Sequence, residues 1–429
     1  MGTNTAVSHL RGDGRGWTLI AIALGWVFVL GGRFLVPAVL PQVKATFAVG
    51  NLGVGVAVTL IWAAYALMQS PAGVLIDRLG EQRLLTGSLL LTGGTVVILG
   101  IAPVFIIFLF GCGAFGFATG LYGPARGTAL SRTFPNNDSA AIGATLAAGS
   151  LGSAILPLTA GVLVDTLGWR TVVTALVPLL VLASVLTHRV VIQTYVSTST
   201  STSTSITTSP ASDTSETVSQ SQTPSIQKLI TSGVRALRHQ GVALAGAAVA
   251  LMLFAFQGLS AFYVTYLVSA KQLDQSLAAG MLALLFIGGA VTQLIAGPIT
   301  DRFGERITLT TMTALGVPAL IAVPFIDDLI LLAIVSVLIG SRLGIAPVSN
   351  AYIIAVLPDT VTGTAWGTLR SGFFLFAATG STIVGAMAGR GLLEESFFLL
   401  AAITAVAAVL YARLPNRENT HSDADTHVS

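Results

Sequence analysis

The chain has 429 residues, of which 53% are hydrophobic and only 9% charged, with a formal net charge of +3. Soluble proteins carry about 25% charged residues, so this composition excludes an ordinary water-soluble domain and indicates an integral membrane protein. A single cysteine, Cys112, excludes an intramolecular disulfide. Residues 1–16 are polar, and we expect a cytoplasmic tail there rather than a cleaved signal, because the first apolar run is too long for one.

Twelve apolar segments follow along the chain, and each is long enough to cross a bilayer, which takes about 20 residues. In the first half they are 17–40, 51–72, 84–102, 104–131, 140–164 and 169–187. In the second half they are 241–269, 276–299, 306–325, 329–357, 363–388 and 393–412. We therefore predict an all-α membrane protein of twelve transmembrane helices, in six-helix bundles at 17–187 and 241–412.

Lysine and arginine are unevenly divided between alternate loops. With a cytoplasmic N-terminus, thirteen of them lie on the cytoplasmic side and four on the outer side. Positively charged loops stay inside. We therefore predict a multi-pass plasma-membrane protein with both termini cytoplasmic, the second tail being residues 413–429.

Residues 188–240 differ in composition from both bundles. Most of this segment is rich in Ser and Thr, which predicts a disordered linker, either a plain spacer or a set of phosphorylation sites. Near its end, apolar residues recur at helical spacing beside Lys228, Arg235 and Arg238. That pattern predicts a short amphipathic helix on the cytoplasmic face, where membrane lipids are its partners.

A charged hairpin occurs twice in the chain. The sequence GVLIDRLGEQR begins at Gly73, and GPITDRFGERI begins at Gly297, 224 positions later. With this offset, identical residues in the first copy and its approach are Gln69, Ala72, Gly73, Asp77, Arg78, Gly80 and Glu81. A repeat at one fixed offset predicts that the two halves share a six-helix plan.

These hairpins resemble the inner-loop motif of the major facilitator superfamily, G-x-x-x-D-R-x-G-R-K/R, and the resemblance spans the whole chain. The end of the fifth span, with Asp165 before Gly168-Trp169-Arg170, is also similar to the family. The resemblance implies two halves that rock around a central cavity, a small-molecule substrate, and a monomer that suffices for function. Cys112 replaces an arginine usual early in the fourth span, and Leu156 replaces the glycine of a Gly-Pro pair. Both departures weaken an assignment as a proton-linked drug exporter.

In such a mechanism each hairpin serves as a cytoplasmic latch. The residues assigned to the latches are Gly73, Asp77, Arg78 and Gly80 in the first half and Gly297, Asp301, Arg302 and Gly304 in the second. The aspartates would face the positive N-terminal end of a helix in the opposite half, and the arginines the cytoplasm or headgroups. The alternative is that both are merely positive-inside hairpins.

Four arginines lie within predicted spans, Arg33, Arg126, Arg342 and Arg370, and no Asp, Glu, Lys or His lies deep in any of them. Each costs about 2.5–3.5 kcal/mol at a helix centre. Arg126 and Arg370 are close to the cytoplasmic ends of their helices, which favours them as latch partners. Alternatively, either of them snorkels to the surface, and for Arg126 the two interpretations are equally favoured.

The two deeper arginines, Arg33 and Arg342, predict the binding site. A guanidinium binds carboxylates and phosphate esters with two hydrogen bonds. We predict a cavity for a small anion at these arginines, with Gln257, Asn350 and Tyr122 beside them and Tyr65 and Tyr263 on the path. The first helix also resembles organic-anion and organophosphate members of the family, which place an arginine there. Alternatively, Arg33 reaches the outer interface and Arg342 pairs with backbone carbonyls.

The predicted function is secondary active or facilitative transport of a small organic anion. The alternative is a proton-coupled exporter of drugs or hydrophobic cations, which needs a buried carboxylate. An enzyme is not expected, because the sequence has no metal-ligand spacing, nucleotide-binding glycine loop or activated nucleophile. We therefore expect no cofactor and no metal. Nucleic-acid binding is not expected, because the basic residues are dispersed over several loops.

Overall fold

A computed structural model of the protein describes residues 15–135, 137–203, 239–356 and 362–415. Within these ranges it contains 12 helical segments that are long and apolar enough to cross a membrane. The prediction of an all-α fold with twelve spans is confirmed. We number these segments spans 1 to 12.

The first half of the described chain contains spans 1 to 6. Their helices are Arg15–Ala38, Asn51–Leu79, Glu81–Ile101, Phe105–Thr133, Asp138–Leu167 and, for span 6, Trp169–Thr174 followed by Leu176–Ser203. Span 6 continues as helix into the segment predicted to be a disordered linker. The predicted amphipathic helix lies outside the described residues, and the boundaries of linker and tails stay predictions.

The second half contains spans 7 to 12. The helices are Gln240–Ser269, Gln275–Phe303, Glu305–Ala322, the three pieces Leu329–Ser341, Arg342–Gly344 and Ile345–Val356 of span 10, Thr362–Gly389 and Leu393–Ala412. The middle piece of span 10 is a 3-10 turn. Pro347 follows this turn and has no N–H to donate to Leu343, which helps to explain why the regular helix is interrupted there.

The sequence repeat is also a repeat of helix packing. Span 1 packs on spans 5 and 6, span 2 on span 4, and span 3 on span 6. In the second half span 7 packs on spans 11 and 12, span 8 on span 10, and span 9 on span 12. Each half is therefore a bundle built on the same plan.

The two duplicated hairpins have the same backbone geometry. Gly80 and Gly304 have φ angles of 78° and 82°, in the left-handed region that residues with a side chain rarely adopt. Each glycine ends one span and begins the next, and its N–H donates to the carbonyl four residues back at 2.8 Å. A glycine is therefore required at each hairpin for two spans to join without a loop.

The halves meet mainly through two interfaces, between spans 2 and 11 and between spans 5 and 8. At the end opposite the hairpins, Asn51 Nδ2 donates to the Ala388 carbonyl at 3.0 Å. Gly55 is so close to span 11 that a Cβ there would collide with the Ser381 carbonyl oxygen. We call the end of the molecule that contains Asn51 and Gly55 the opposite end, and the end that contains the two hairpins the hairpin end. These contacts close the opposite end.

Candidate functional site

A cavity of about 550 Å³ lies between spans 5, 7, 8, 10 and 11. It is bordered by the first half of span 5, which begins at the hairpin end, and by the last part of span 8, which finishes there. The cavity therefore occupies the hairpin-end half of the molecule, away from the contacts that close the opposite end. This position suits a solute that enters from the hairpin end.

The charged side chains that border this cavity are both arginines. Arg342 and Arg370 lie on spans 10 and 11, with Asn350, Ser349 and Gln293 as polar neighbours on the cavity wall. Of the described residues that line the cavity, none is acidic. Its electrostatic character is therefore positive.

Arg33 lies behind the cavity in an aromatic cage. It is 1% exposed, and its Cζ is 3.9 Å from the ring centroid of Tyr65, 5.3 Å from Trp62 and 5.5 Å from Trp26. Its Nε and Nη2 atoms are buried and have no hydrogen-bond partner among the described residues. The cage therefore holds the guanidinium through ring faces and leaves two of its donor atoms unused.

Two further arginines belong to the same region. Arg126 Cζ is 4.4 Å from the Trp26 centroid, and Arg126 Nη1 donates to Thr145 Oγ1 at 2.7 Å. Arg33 contacts the Tyr65 ring, Arg126 shares the Trp26 ring with Arg33, and Arg370 contacts Phe374, whose ring packs on Tyr65. We call these three arginines around Tyr65 the arginine cluster. Arg126 and Arg370 therefore lie with aromatic and hydroxyl groups in this conformation, away from the hairpins that they were predicted to latch.

Arg342 is held separately, inside the second bundle. Its Nε donates to the Ile339 carbonyl and its Nη1 to Thr404 Oγ1, both at 3.1 Å. Its side chain packs so closely on Gly316 that a Cβ at this glycine would collide with the Arg342 stem. The structure therefore gives Arg33 and Arg342 separate surroundings in different bundles. The hydrogen bond from Arg342 to the Ile339 carbonyl agrees with the alternative interpretation, in which Arg342 pairs with backbone carbonyls.

The other predicted binding residues are placed as follows. Tyr122 Oη donates to the Ile22 carbonyl at 2.8 Å, and the hydroxyls of Tyr263 and Ser336 are 2.6 Å apart. Gln257 is buried on span 7, and its Oε1 has no partner among the described residues. Asn350 lines the cavity. Both tyrosine hydroxyls are buried and hydrogen-bonded within the protein in this conformation.

The predicted latch residues are open to their surroundings. Asp77, Arg78, Asp301 and Arg302 are exposed. A Cβ built at Gly73 or at Gly297 would meet no heavy atom within 4 Å. The two hairpins therefore do not clamp the halves together here, which agrees with closure at the opposite end.

Phe374 is a site residue that sequence reasoning missed. It lines the cavity and faces the cage, with ring centroids 5.4 Å from Tyr65 and 6.3 Å from Trp62. Arg370 Cζ is 5.8 Å from the Phe374 centroid. One aromatic ring therefore lies between the cavity and the cage around Arg33. The repeat gives no signal for Phe374, which matches Ser150 at the offset of 224, a residue outside the cavity lining.

The comparisons with known proteins agree with this architecture. A family profile described as Major Facilitator Superfamily matches residues 22–345 and 246–427. The chain belongs to the Major Facilitator Superfamily. With its twelve apolar helices it is therefore a multi-pass membrane protein.

Part of this chain matches two curated proteins. It is 31% identical over 173 residues to the multidrug resistance protein Stp of Mycobacterium tuberculosis, in strain CDC 1551 / Oshkosh and in strain ATCC 25618 / H37Rv. The match covers 40% of this chain and 32% of each relative. The chain thus spans about a third of the length of these relatives.

Solved structures share the fold over nearly the whole chain. A mutant of the nucleoside transporter NupG has a TM-score of 0.70 at 13% identity, covering 93% of this chain and 99% of that one. An inward-facing, unoccupied bacterial homologue of the human lysosomal transporter Spinster has a TM-score of 0.69 at 16% identity, covering 94% and 97%. At these identities the likeness establishes the fold alone.

Proposed function

We propose that the protein transports a small organic anion by alternating access. The observation that carries the proposal is the arginine cluster, in which Arg33 and Arg126 are buried and Arg370 lines the cavity. Every acidic residue of the twelve spans lies near a helix end. The charge in the middle of the molecule is therefore positive and lacks an internal counter-charge.

The energetics of buried charge favour an anion as the missing partner. A buried guanidinium without a counter-ion is costly, because desolvation is not offset by a Coulomb attraction. Arg33 and Arg370 also repel each other. An anion bound between them offsets the desolvation cost and the repulsion between the two guanidiniums. A bound cation would instead be repelled by both.

Export of hydrophobic drugs is the second candidate. It is favoured by the partial relationship to a multidrug resistance protein and by aromatic residues on the cavity wall, among them Trp366, Phe256 and Phe373. Proton coupling of the usual kind needs a carboxylate in the span interior, and the sequence has none there. An apolar or cationic drug also gains nothing from the two arginines of the wall. We therefore place the anion first.

The proposal includes an orientation. Because positively charged loops stay inside, the hairpin end faces the cytoplasm of a plasma membrane and both termini are cytoplasmic. The conformation described here is then open to the cytoplasm. In the opposite conformation the two hairpins act as latches, with Gly73 and Gly297 allowing the halves to approach. Exposed apolar side chains on the outside of the bundle contact membrane lipids, and one monomer houses the pathway.

The test is thermal unfolding of the purified protein with small carboxylates, phosphate esters and hydrophobic cations. A ligand at a hundred times its Kd adds about 2.7 kcal/mol of stability. We expect anions to stabilise the wild type and not Arg33→Gln or Arg370→Gln. Arg390→Gln, at an exposed arginine between spans 11 and 12, is the matched control and should respond like wild type.

The variant Arg342→Gln tests whether Arg342 binds the substrate or has a structural role. If Arg342 mainly ties span 10 to span 12, the variant melts earlier but still responds to the anion. Stabilisation by cations alone, or an undiminished anion response in Arg33→Gln and Arg370→Gln, would refute the proposal. Uptake into proteoliposomes then measures transport of the compound that binds.

A further inference from the structure

All polar side chains of the cavity lie on one of its walls, and the other wall is entirely apolar. The polar side chains come from spans 8, 10 and 11. The side chains contributed by spans 5 and 7 are all apolar or glycine, and they are Gly143, Leu146, Ala147, Leu151, Val249, Met252, Leu253 and Phe256. The repeat shows the same division at one matched position, because Leu146 corresponds to Arg370. A small hydrophilic anion would leave this apolar wall without a partner.

The arginine cluster and the neighbouring Trp62 present hydrogen-bond donors that have no acceptor. Arg33 Nε and Nη2, Arg126 Nε and Trp62 Nε1 are buried and unpaired within the described part of the chain. All four are N–H groups that cannot accept a hydrogen bond. A buried unpaired donor carries a desolvation penalty, so a ligand that supplies acceptor oxygens and no donors relieves it. An oxyanion has this chemistry.

The cluster and the cavity adjoin each other. Arg370 and Phe374 line the cavity, while Phe374 contacts Tyr65 and Trp62 on the side of the cage. Phe374 is therefore the side chain between the cavity and the Arg33 cage. Together the cage and the cavity offer donors at one end and apolar side chains at the other.

We propose that the substrate is an amphiphilic anion, with an oxyanion head group at Arg33 and Arg370 and an apolar chain along Leu146, Leu253 and Phe256. The inference rests on the proposed anion transport and narrows its substrate class. A volume of about 550 Å³ lies within the roughly 300–1,000 Å³ of sites that hold drug-sized molecules. Inorganic phosphate or a two-carbon acid fills little of it.

The experiment measures how affinity depends on chain length. The purified full chain in detergent is titrated with inorganic phosphate and with ethyl, butyl, hexyl and octyl phosphate, all below their micellar concentrations, and Kd is derived from thermal unfolding. We expect Kd to fall by about fourfold for each methylene that the cavity buries. Matched alkyl alcohols and alkyltrimethylammonium ions should give no shift.

Variants assign the two ends of the site. Leu146→Ala should flatten the chain-length dependence, whereas Leu90→Ala, at a leucine of span 3 outside the cavity with similar exposure (49% against 43%), should leave it unchanged. Arg33→Gln should weaken every alkyl phosphate by a similar factor and preserve the slope. Equal losses of slope in both alanine variants would overturn the assignment of the chain.

The outcomes distinguish this inference from the proposed function. If every phosphate binds with the same Kd whatever its chain, the amphiphile is refuted and anion transport stands. If the alcohols or ammonium ions show the same slope as the phosphates, the oxyanion head group is refuted. If no anion of any length binds and cations do, both proposals fail.

Discussion

The guanidinium of Arg33 lies over the ring of Tyr65, with Cζ 3.9 Å from the ring centroid. The pair joins span 1 to span 2 in a region closed to water. In such a place a cation over an aromatic face contributes about 2 kcal/mol, more than the same contact at a surface. The contact holds Arg33 without using an acid, which leaves its charge available to an anion.

The first prediction separates this contact from simple packing. Tyr65→Phe keeps the ring face, so most of the stability should remain. Tyr65→Leu removes the face and should lower the free energy of unfolding by about 2 kcal/mol beyond the phenylalanine variant. Denaturant unfolding of both variants in one detergent measures the difference. Equal losses would mean that the ring contributes volume alone.

The sequence predicted the twelve spans and their duplication, because a bilayer imposes a length and an apolar composition that are visible in any single chain. Counting along the helices also places Arg342 farther from a span end than Arg370. Depth is fixed by counting residues from a helix end. The direction in which a side chain points around the helix axis cannot be counted in this way, because the rotation of a helix is set by its packing against neighbouring helices.

That difference explains where the predicted site departs from the structure. Arg342 lies near the middle of span 10, but its guanidinium turns toward Gly316 and Thr404. Arg370 was assigned to a latch because it lies near a helix end, yet it lines the cavity. The spacings of Trp26 from Arg33 and of Trp62 from Tyr65 place each pair on one helix face, but they do not show that the two faces meet.

The second prediction concerns the close packing of Gly316 on Arg342. A Cβ at Gly316 would collide with the Cγ and Cδ atoms of Arg342. We expect Gly316→Ala to cost about 1–3 kcal/mol, as overpacking does. Gly94→Ala is the control, because a Cβ at Gly94 meets nothing within 4 Å. Unfolding of the two single variants measures both costs.

A double variant tests whether the clash is the cause. In Gly316→Ala combined with Arg342→Ala, the new methyl group enters space that the arginine has left. The combined loss should therefore be smaller than the sum of the single losses. Additive losses would show that the alanine acts through something other than Arg342.

The third prediction concerns the glycine of the first hairpin. A side chain at Gly73 meets no atom in the present conformation, so Gly73→Leu should fold normally. In the opposite conformation the halves approach at this end, and the leucine should obstruct them. Transport should fall more than tenfold while ligand binding persists. Gly87→Leu, at another glycine with open space around it, is the control, and equal transport by both variants would exclude a latch at Gly73.

The last prediction concerns the seal at the opposite end. Thr59 Oγ1 donates to the Ala378 carbonyl at 2.7 Å and lies 2.7 Å from Thr382 Oγ1, so one hydroxyl ties span 2 to span 11 twice. Valine has nearly the same shape and makes neither bond. At about 1 kcal/mol for each hydrogen bond, Thr59→Val should shift the equilibrium roughly five- to thirtyfold toward the conformation closed at the hairpin end.

The change is measured with a cysteine in the cavity. Cys112 is buried, so a Cys112→Ala background carrying Asn350→Cys reports access from the hairpin end through its rate of labelling by a water-soluble maleimide. We expect Thr59→Val to slow this labelling and Thr46→Val, a threonine that bonds within its own half to Gln42 and Trp169, to leave it unchanged. Because removal of the seal favours the opposite conformation, faster labelling in Thr59→Val would contradict the assignment of Thr59 to the seal.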